Sequence, residues 1–276
     1  MVPEFIANWH SHTFRCKHAT GDVADYCEQA LIAGMKVIGV SDHAPMRDGR
    51  WSHVRMDYSL MPDYIAACDR AAATYPSLKL YKGLECEWVP AFGMSYYTEE
   101  LKGKFGLDFL VAAPHSFTME AGSDQWYNSF LKADSLDEKA WLRGYGRYVL
   151  EVIGTGLFDY LAHPDLMGNF CTAWTPDAKA VARDIAQAAR DAHMLLEINA
   201  AGFRKPWITD SSGEERAMYP WLPFWETVAA EGATAMVNTD AHSPELITAT
   251  VDECFELAKK VGIEVRIPLS PAEMRI

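Results

Sequence analysis

Nine histidines occur in the 276 residues, and seven of them (His10, His12, His18, His43, His115, His163 and His242) fall at or just after the end of a short apolar run. Side chains alternate along a strand, so His10 and His12 in NWHSHT share one face, as do Asp240 and His242 in NTDAH. Glu85 and Glu87 in GLECEW repeat the spacing with carboxylates, and Asp42 precedes His43 in VSDHAP. Imidazole nitrogens and carboxylate oxygens are the donors that Zn, Mn and Fe ions take, at about 2.0–2.2 Å for zinc. Buried without a metal, so many histidines and acids would carry a large desolvation cost. A single strand-end histidine is usually a hydrogen-bonded core or surface residue. The joint occurrence is what points to a metal site. Seven histidines with Glu85 and Asp240 make nine ligands. That is too many for one ion at about four to six protein ligands and enough for two or three, joined by a bridging carboxylate.

The remaining polar residues sort around that set. His193, in DAHMLLEIN, precedes its run and is expected at the opposite end of the fold in a structural role. His53, in GRWSHVRM, reads as an exposed loop histidine. Asp165 and Glu87 are expected either to orient ligand imidazoles or to be solvated. Arg204, in EINAAGFRKPW, is expected to hold a phosphate bidentately beside the dications, the alternative being an ion pair with Glu214 or Glu215. Lys205 reads as solvated.

Such a set needs a scaffold that brings distant strand ends together. The apolar runs are Glu4 to His12, Met35 to His43, Leu78 to Trp88, Leu107 to His115, Leu157 to His163, Met194 to Ala200 and Ala233 to His242. Each is followed by a helical pattern, which gives an α/β fold of seven βα units around a parallel sheet or barrel. Asp22 caps a helix with Val23, Tyr26, Cys27, Ala30 and Leu31 on one face. Thr175-Pro176 and Ser243-Pro244 each open a further helix. Three polar insertions, Ala44 to Met61, Ser116 to Ser135 and Gly202 to Leu222, follow strand ends. In a parallel barrel they lie on the face where active sites are built.

Composition agrees with an ordinary globular chain: 49% hydrophobic, 23% charged and 12% aromatic, with no linker or repeat dividing residues 1–276. Net charge is −13, so nucleic acid and anionic membranes are not expected partners; the metal set with Arg204 makes a small phosphorylated molecule the expected one. Met1 to Asn8 show no signal-peptide pattern, and the expected location is cytoplasmic. The six cysteines form no CxxC pair and are expected reduced and buried. No apolar stripe is left over after the expected core, which makes a monomer the default.

The motifs His10-Ser11-His12, His18, Ser41-Asp42-His43, Gly83-Leu84-Glu85, Pro114-His115-Ser116, His163-Pro164-Asp165, Glu197-Ile198-Asn199 and Asp240-Ala241-His242 span nearly the whole chain. In this order they resemble the polymerase and histidinol phosphatase (PHP) family, and within it the histidinol-phosphatase branch. The resemblance implies a distorted seven-stranded βα barrel of the TIM type, holding three metals. By position, His10, His12, Glu85 and Asp240 would hold the first ion. Glu85, His115 and His163 would hold the second, and His18, His43 and His242 the third. It also implies hydrolysis of L-histidinol phosphate in histidine biosynthesis, with the arginine of NAAGFRKP gripping phosphate.

Two close dications would lower the pKa of a bridging water so that hydroxide is available near neutral pH. Arg204 and the third ion would hold the other oxygens, Asp240 would take the nucleophile's proton, and His242 or Asp42 would protonate the leaving oxygen. Ligand histidines must be neutral, so activity should fall below about pH 6. The rivals are a phosphodiesterase or nuclease of the same family, which calls for a basic track, and another phosphate ester as substrate. Two further rivals are an amidohydrolase-type barrel, which would not need His18, His43 and His242 together, and a metal- or phosphate-sensing regulator, which would lack a ligand.

Overall fold

A computed structural model describes residues 4–131 and 137–275, so residues 132–135 of the expected Ser116 to Ser135 insertion lie outside the described residues. Eight parallel strands stand in the sheet in chain order: β1 (Ala7–Asn8), β2 (Val37–Val40), β3 (Lys79–Cys86), β4 (Phe109–Ala112), β5 (Tyr160–Leu161), β6 (Leu195–Asn199), β7 (Ala235–Asn238) and β8 (Val265–Arg266). The apolar runs mark the first seven. The expected count of seven is one short, because β8 is a two-residue strand with no apolar run, paired to β7 through Ala235↔Val265.

Each crossover carries a helix. These are α1 (Val23–Ile32), α2 (Met61–Thr74), a wide helical segment at Tyr96–Lys104, α3 (Glu138–Gly154), α4 (Pro176–Asp191), α5 (Leu222–Ala230) and α6 (Val251–Val261). Asp22 accepts from Val23 N while Asp25 accepts from Asp22 N, a reciprocal cap that fixes the start of α1. Thr175 caps α4 with Pro176 in its first turn, as the sequence signals. The helix expected from Ser243-Pro244 is interrupted. Pro244–Leu246 forms one 3-10 turn, and α6 starts only after Thr250, whose φ of 58° breaks the helix.

The sheet curls until its edges meet at the C-terminal mouth. A bridge joins Ser11 to Ala241, and His12 N donates to Ala241 O at 2.9 Å. Two asparagine side chains extend the seam, Asn8 Oδ1 accepting from Thr239 N and Asn238 Oδ1 from Trp9 N. At the other end the C-terminal segment fills the gap. Trp9 Nε1 donates to Pro268 O at 2.9 Å, and Met274 is buried with Trp9, Phe109 and Tyr160. These rings close the interior from below. A Cβ at Gly83 would lie 2.3 Å from the Phe109 ring and one at Gly39 2.7 Å from Trp9, so only glycine fits there. All six cysteines are buried and none forms a disulfide. Among the described residues no helix is long and apolar enough to cross a membrane.

Candidate metal centre

Beyond the last ladder residue of its strand, each chain segment carries its ligand-type side chains into the mouth. His10 and His12 follow β1, His43 follows β2, His115 follows β4, His163 follows β5, and Asp240 and His242 follow β7; Glu85 stands within β3. His18 comes from a loop, after the 3-10 turn Phe14–Cys16, and its Nδ1 bonds Cys16 O at 2.9 Å. His163 (φ 31°) and Asp240 (φ 47°) hold left-handed backbone, a strained state that persists at functional sites because the surroundings enforce it.

Glu85 is the hub. Its Oε1 lies 2.9 Å from His163 Nε2 and 3.3 Å from both His10 Nε2 and His115 Nε2. Its Oε2 lies 2.8 Å from His43 Nδ1 and 3.6 Å from His12 Nε2. Asp240 Oδ1 is 3.0 Å from His12 Nε2, 3.6 Å from His10 Nε2 and 3.3 Å from His242 Nδ1. His18 Nε2 and His242 Nε2 face each other at 3.1 Å. Donor atoms converge to within 4.8 Å in the groups His10/His12/Asp240, His10/Glu85/His163, His12/His43/Glu85 and His18/His43/His242.

Buried ligand-type atoms at this centre have no hydrogen-bond partner: His10 Nε2, both ring nitrogens of His12, His43 Nδ1, Glu85 Oε2 and Asp240 Oδ1. Buried polar groups are normally satisfied. A cluster of orphaned imidazole and carboxylate donors facing a common point fits divalent transition metals.

The charges on the protein alone are divided. Burial opposes ionisation of Glu85 and Asp240, yet the surrounding imidazoles outweigh it and hold both well below the ordinary carboxylate range. Burial likewise works against a proton on His10 and His12. The carboxylates prevail: Glu197, Asp240 and Glu85 raise His10, while Asp240 and Asp42 lift His12 to about 9. Burial, with the charge of His12, lowers His43 and takes His242 to about 3. Metal uptake at pH 7 therefore displaces protons from His10 and His12. Calorimetry of zinc binding in buffers of different ionisation enthalpy is expected to show release of about two protons per chain. Uptake with no proton release would contradict this charge state.

Behind these ligand-type side chains stands a layer of acids. Glu197, buried in β6, accepts from or pairs with His10 Nδ1 at 2.8 Å and accepts from His163 N, Asn199 Nδ2 and Asn238 Nδ2. Sequence reasoning gave it no role, although an acid inside the apolar run LLEIN, two residues before Asn199 on the same face, was an available signal. Glu197→Gln is expected to weaken metal binding by about 10–100-fold with the fold retained, measured by competition with a chelator. Glu87 takes the orienting role considered for it, its Oε1 3.1 Å from His115 Nδ1. Asp165 does not. It is buried and accepts from Trp221 N and Trp225 Nε1, anchoring the end of the Gly202 to Leu222 insertion. Asp42 lies behind His12, its oxygens taken by Thr13 and His43 N, a placement that gives no support to a proton-donating role.

All three insertions roof a cavity of about 420 Å³ over the cluster, lined by Trp51, His53, Arg55, Ser116, Asn128, Phe130, Lys205 and Tyr219 with His18, His43, His115, Asp240 and His242. His53 and Lys205, exposed as expected, also line it. His193 lies in an exposed turn before β6, at the far end of the sheet. Trp126 packs edge-on to Trp51, whereas Trp207 and Trp221 line a separate cavity. Asp42, Glu87, Glu120 and Asp124 do not line the cavity over the cluster.

Arg204 departs from expectation most. It pairs with neither Glu214 nor Glu215 and does not line the cavity. Its Nη1 donates to Ala249 O (3.0 Å) and Thr250 Oγ1 (2.9 Å), and its Nη2 to Thr239 O (2.7 Å) and Asp240 O (3.4 Å). The guanidinium clamps the broken start of α6 to the segment that carries Asp240. Arg204→Ala is expected to cost about 2–3 kcal/mol of stability in urea unfolding, from several lost half-buried hydrogen bonds.

The sequence profile of the PHP domain matches residues 8–201. A Deinococcus radiodurans protein named "Probable histidinol-phosphatase" is 29% identical over 263 residues, covering 93% of this chain and 94% of its own length. A Schizosaccharomyces pombe protein of the same name is 23% identical over 281 residues, covering 92% and 86%. Among solved structures, a histidinol phosphate phosphatase from Lactococcus lactis, in complex with zinc, L-histidinol and phosphate, is similar over 97% of both chains at 17% identity, with a TM-score of 0.69. Eight parallel strands, the ligand-bearing mouth and the profile match lead to one assignment: the chain belongs to the PHP domain family.

Proposed function

We propose that this protein is a metal-dependent phosphomonoesterase that hydrolyses L-histidinol phosphate to L-histidinol and phosphate. The observation that carries the reaction class is the cluster of orphaned imidazole and carboxylate atoms beneath a cavity sized for a small molecule. The substrate rests on the relatives, two of which are named for histidinol phosphatase activity.

On this reading His10, His12, His18, His43, Glu85, His115, His163, Asp240 and His242 hold two or three ions of Mn, Fe or Zn in a distorted TIM-like barrel. Such ions supply hydroxide at neutral pH and a clamp on phosphoryl oxygens. Asp240, which lines the cavity and is already ionised among its imidazoles, takes the proton of the attacking water. Of the two side chains expected to protonate the leaving oxygen, Asp42 does not line the cavity and burial leaves His242 neutral, so the proton that Asp240 takes is the one available to the leaving oxygen. Glu85 and Glu197 fix the rings, and Trp51, Phe130 and Tyr219 exclude water and offer faces to a heteroaromatic ring. A polymeric phosphodiester finds no basic track on a chain of net charge −13.

The test is phosphate release from a panel of monoesters and diesters with added Mn. L-histidinol phosphate is expected to give the largest kcat/KM. A higher kcat/KM for another monoester moves the substrate assignment, and preference for a diester overturns the reaction class.

A further inference from the structure

The cavity above the cluster contains an arginine whose hydrogen bonds are incomplete. Arg55, on the insertion between β2 and α2, is 3% exposed and lines that cavity together with His43, His115, Asp240 and His242. Its Nη2 pairs with Glu87 Oε1, while Nε and Nη1 are buried with no partner. The same Glu87 oxygen lies 3.1 Å from His115 Nδ1, so the guanidinium is tied to a ring whose other nitrogen faces Glu85. Trp51 covers it, its ring centre 5.3 Å from the Arg55 central carbon.

Buried guanidinium donors without acceptors are disfavoured unless a ligand supplies the acceptors. Nε and Nη1 lie on different edges of the planar guanidinium; the edge that joins Nη1 to the second hydrogen of Nη2 suits two oxygens of a tetrahedral or planar anion. Among the described residues the cavity lining contains a single carboxylate, Asp240, which belongs to the ligand-type cluster, and a further cation, Lys205, on the Gly202 to Leu222 insertion. Arg204, the arginine the sequence offers for this task, has its donors committed to Thr239, Asp240, Ala249 and Thr250.

We infer that Arg55 is the anion-binding arginine of this site: the Nη1 edge of its guanidinium holds oxygens of a phosphate group seated in the cavity over the ligand-type cluster. The inference rests on the phosphatase reading for the identity of the anion, not for its existence. No bond is made or broken by Arg55; it holds charge and orients.

The experiment reads inorganic phosphate binding to the metal-loaded protein by calorimetry, with ion content measured on the same samples, for the parent, Arg55→Lys and Arg55→Gln. Ion content is expected to stay at the parent level. Phosphate affinity is expected to fall by about 10-fold in Arg55→Lys, which keeps a charge but loses the fork, and about 100-fold in Arg55→Gln. Unchanged phosphate affinity in a variant that keeps its ions overturns the inference. So does a loss of phosphate affinity that only tracks lost ions, since Arg55 would then act through Glu87 and His115 alone. Should Arg55→Gln not fold, the lysine variant decides by the same criteria. A parent protein that binds phosphate but hydrolyses no monoester removes the phosphatase reading, while the Arg55 variants still decide the anion site.

Discussion

Phosphate release by Glu85→Ala is expected to fall by about 1,000-fold or more. Metal assistance to phosphoryl transfer is worth several kcal/mol, and each 1.36 kcal/mol is tenfold in rate. The two oxygens of Glu85 face five imidazoles, those of His10, His12, His43, His115 and His163, at 2.8–3.6 Å. Asp240 shares His10 and His12 of these rings but not the other three, and Glu197 and Glu87 stand on the far side of theirs. Elemental analysis of the variant should show ions lost along with activity. Stability of the metal-free protein carries a second signature. The Glu85 carboxyl is held well below its ordinary value, so its stabilising contribution is present above the unfolded-state pKa and disappears as pH falls through the folded one. Parent and Glu85→Ala, unfolded in urea with chelator present, should differ most near pH 7 and converge on acidification. A variant that retains its ions and turns over within tenfold of the parent would show that Glu85 is not the bridge.

Asp240→Asn is expected to separate binding from chemistry. The amide keeps an oxygen facing His12 and His242 but can neither carry the charge nor accept the nucleophile's proton, so kcat should drop by about 100–10,000-fold with KM nearly unchanged. The left-handed backbone at Asp240 favours this comparison, since asparagine tolerates that conformation as readily as aspartate. An equal rise in KM with kcat retained would instead make Asp240 a substrate-binding group.

The metal centre was largely legible in the sequence because its chemistry is written at strand ends. Period-two alternation places His10 beside His12 and Asp240 near His242 without any knowledge of packing. His18 was counted with the strand-end histidines, but it sits on a loop after the turn Phe14–Cys16. The failures share a cause, which is that side-chain direction in loops is set by tertiary contacts. The loop of Arg204 does stand beside the mouth, but the break in α6 at Thr250 exposes carbonyls that draw the guanidinium away from the cavity. Arg55 lay unremarked in GRWSHVRM because only the fold brings it against Glu87 and the ligand His115. Strand β8 was missed for a different reason: Ile263, Val265 and Ile267 alternate with Glu264 and Arg266, a period-two signal, but they form no continuous apolar run of the kind that marks the other seven strands.

On the proposed reading, the nine ligand-type residues hold ions that make the protein a phosphomonoesterase. The most direct test of this reading is a metal titration of chelator-stripped protein, counting bound ions by elemental analysis while following phosphate release from L-histidinol phosphate. The predicted result is no turnover without ions and full recovery as two or three ions bind per chain, in line with the donor count. Stripped protein that still turns over, or fully loaded protein that releases phosphate from no monoester, would contradict it.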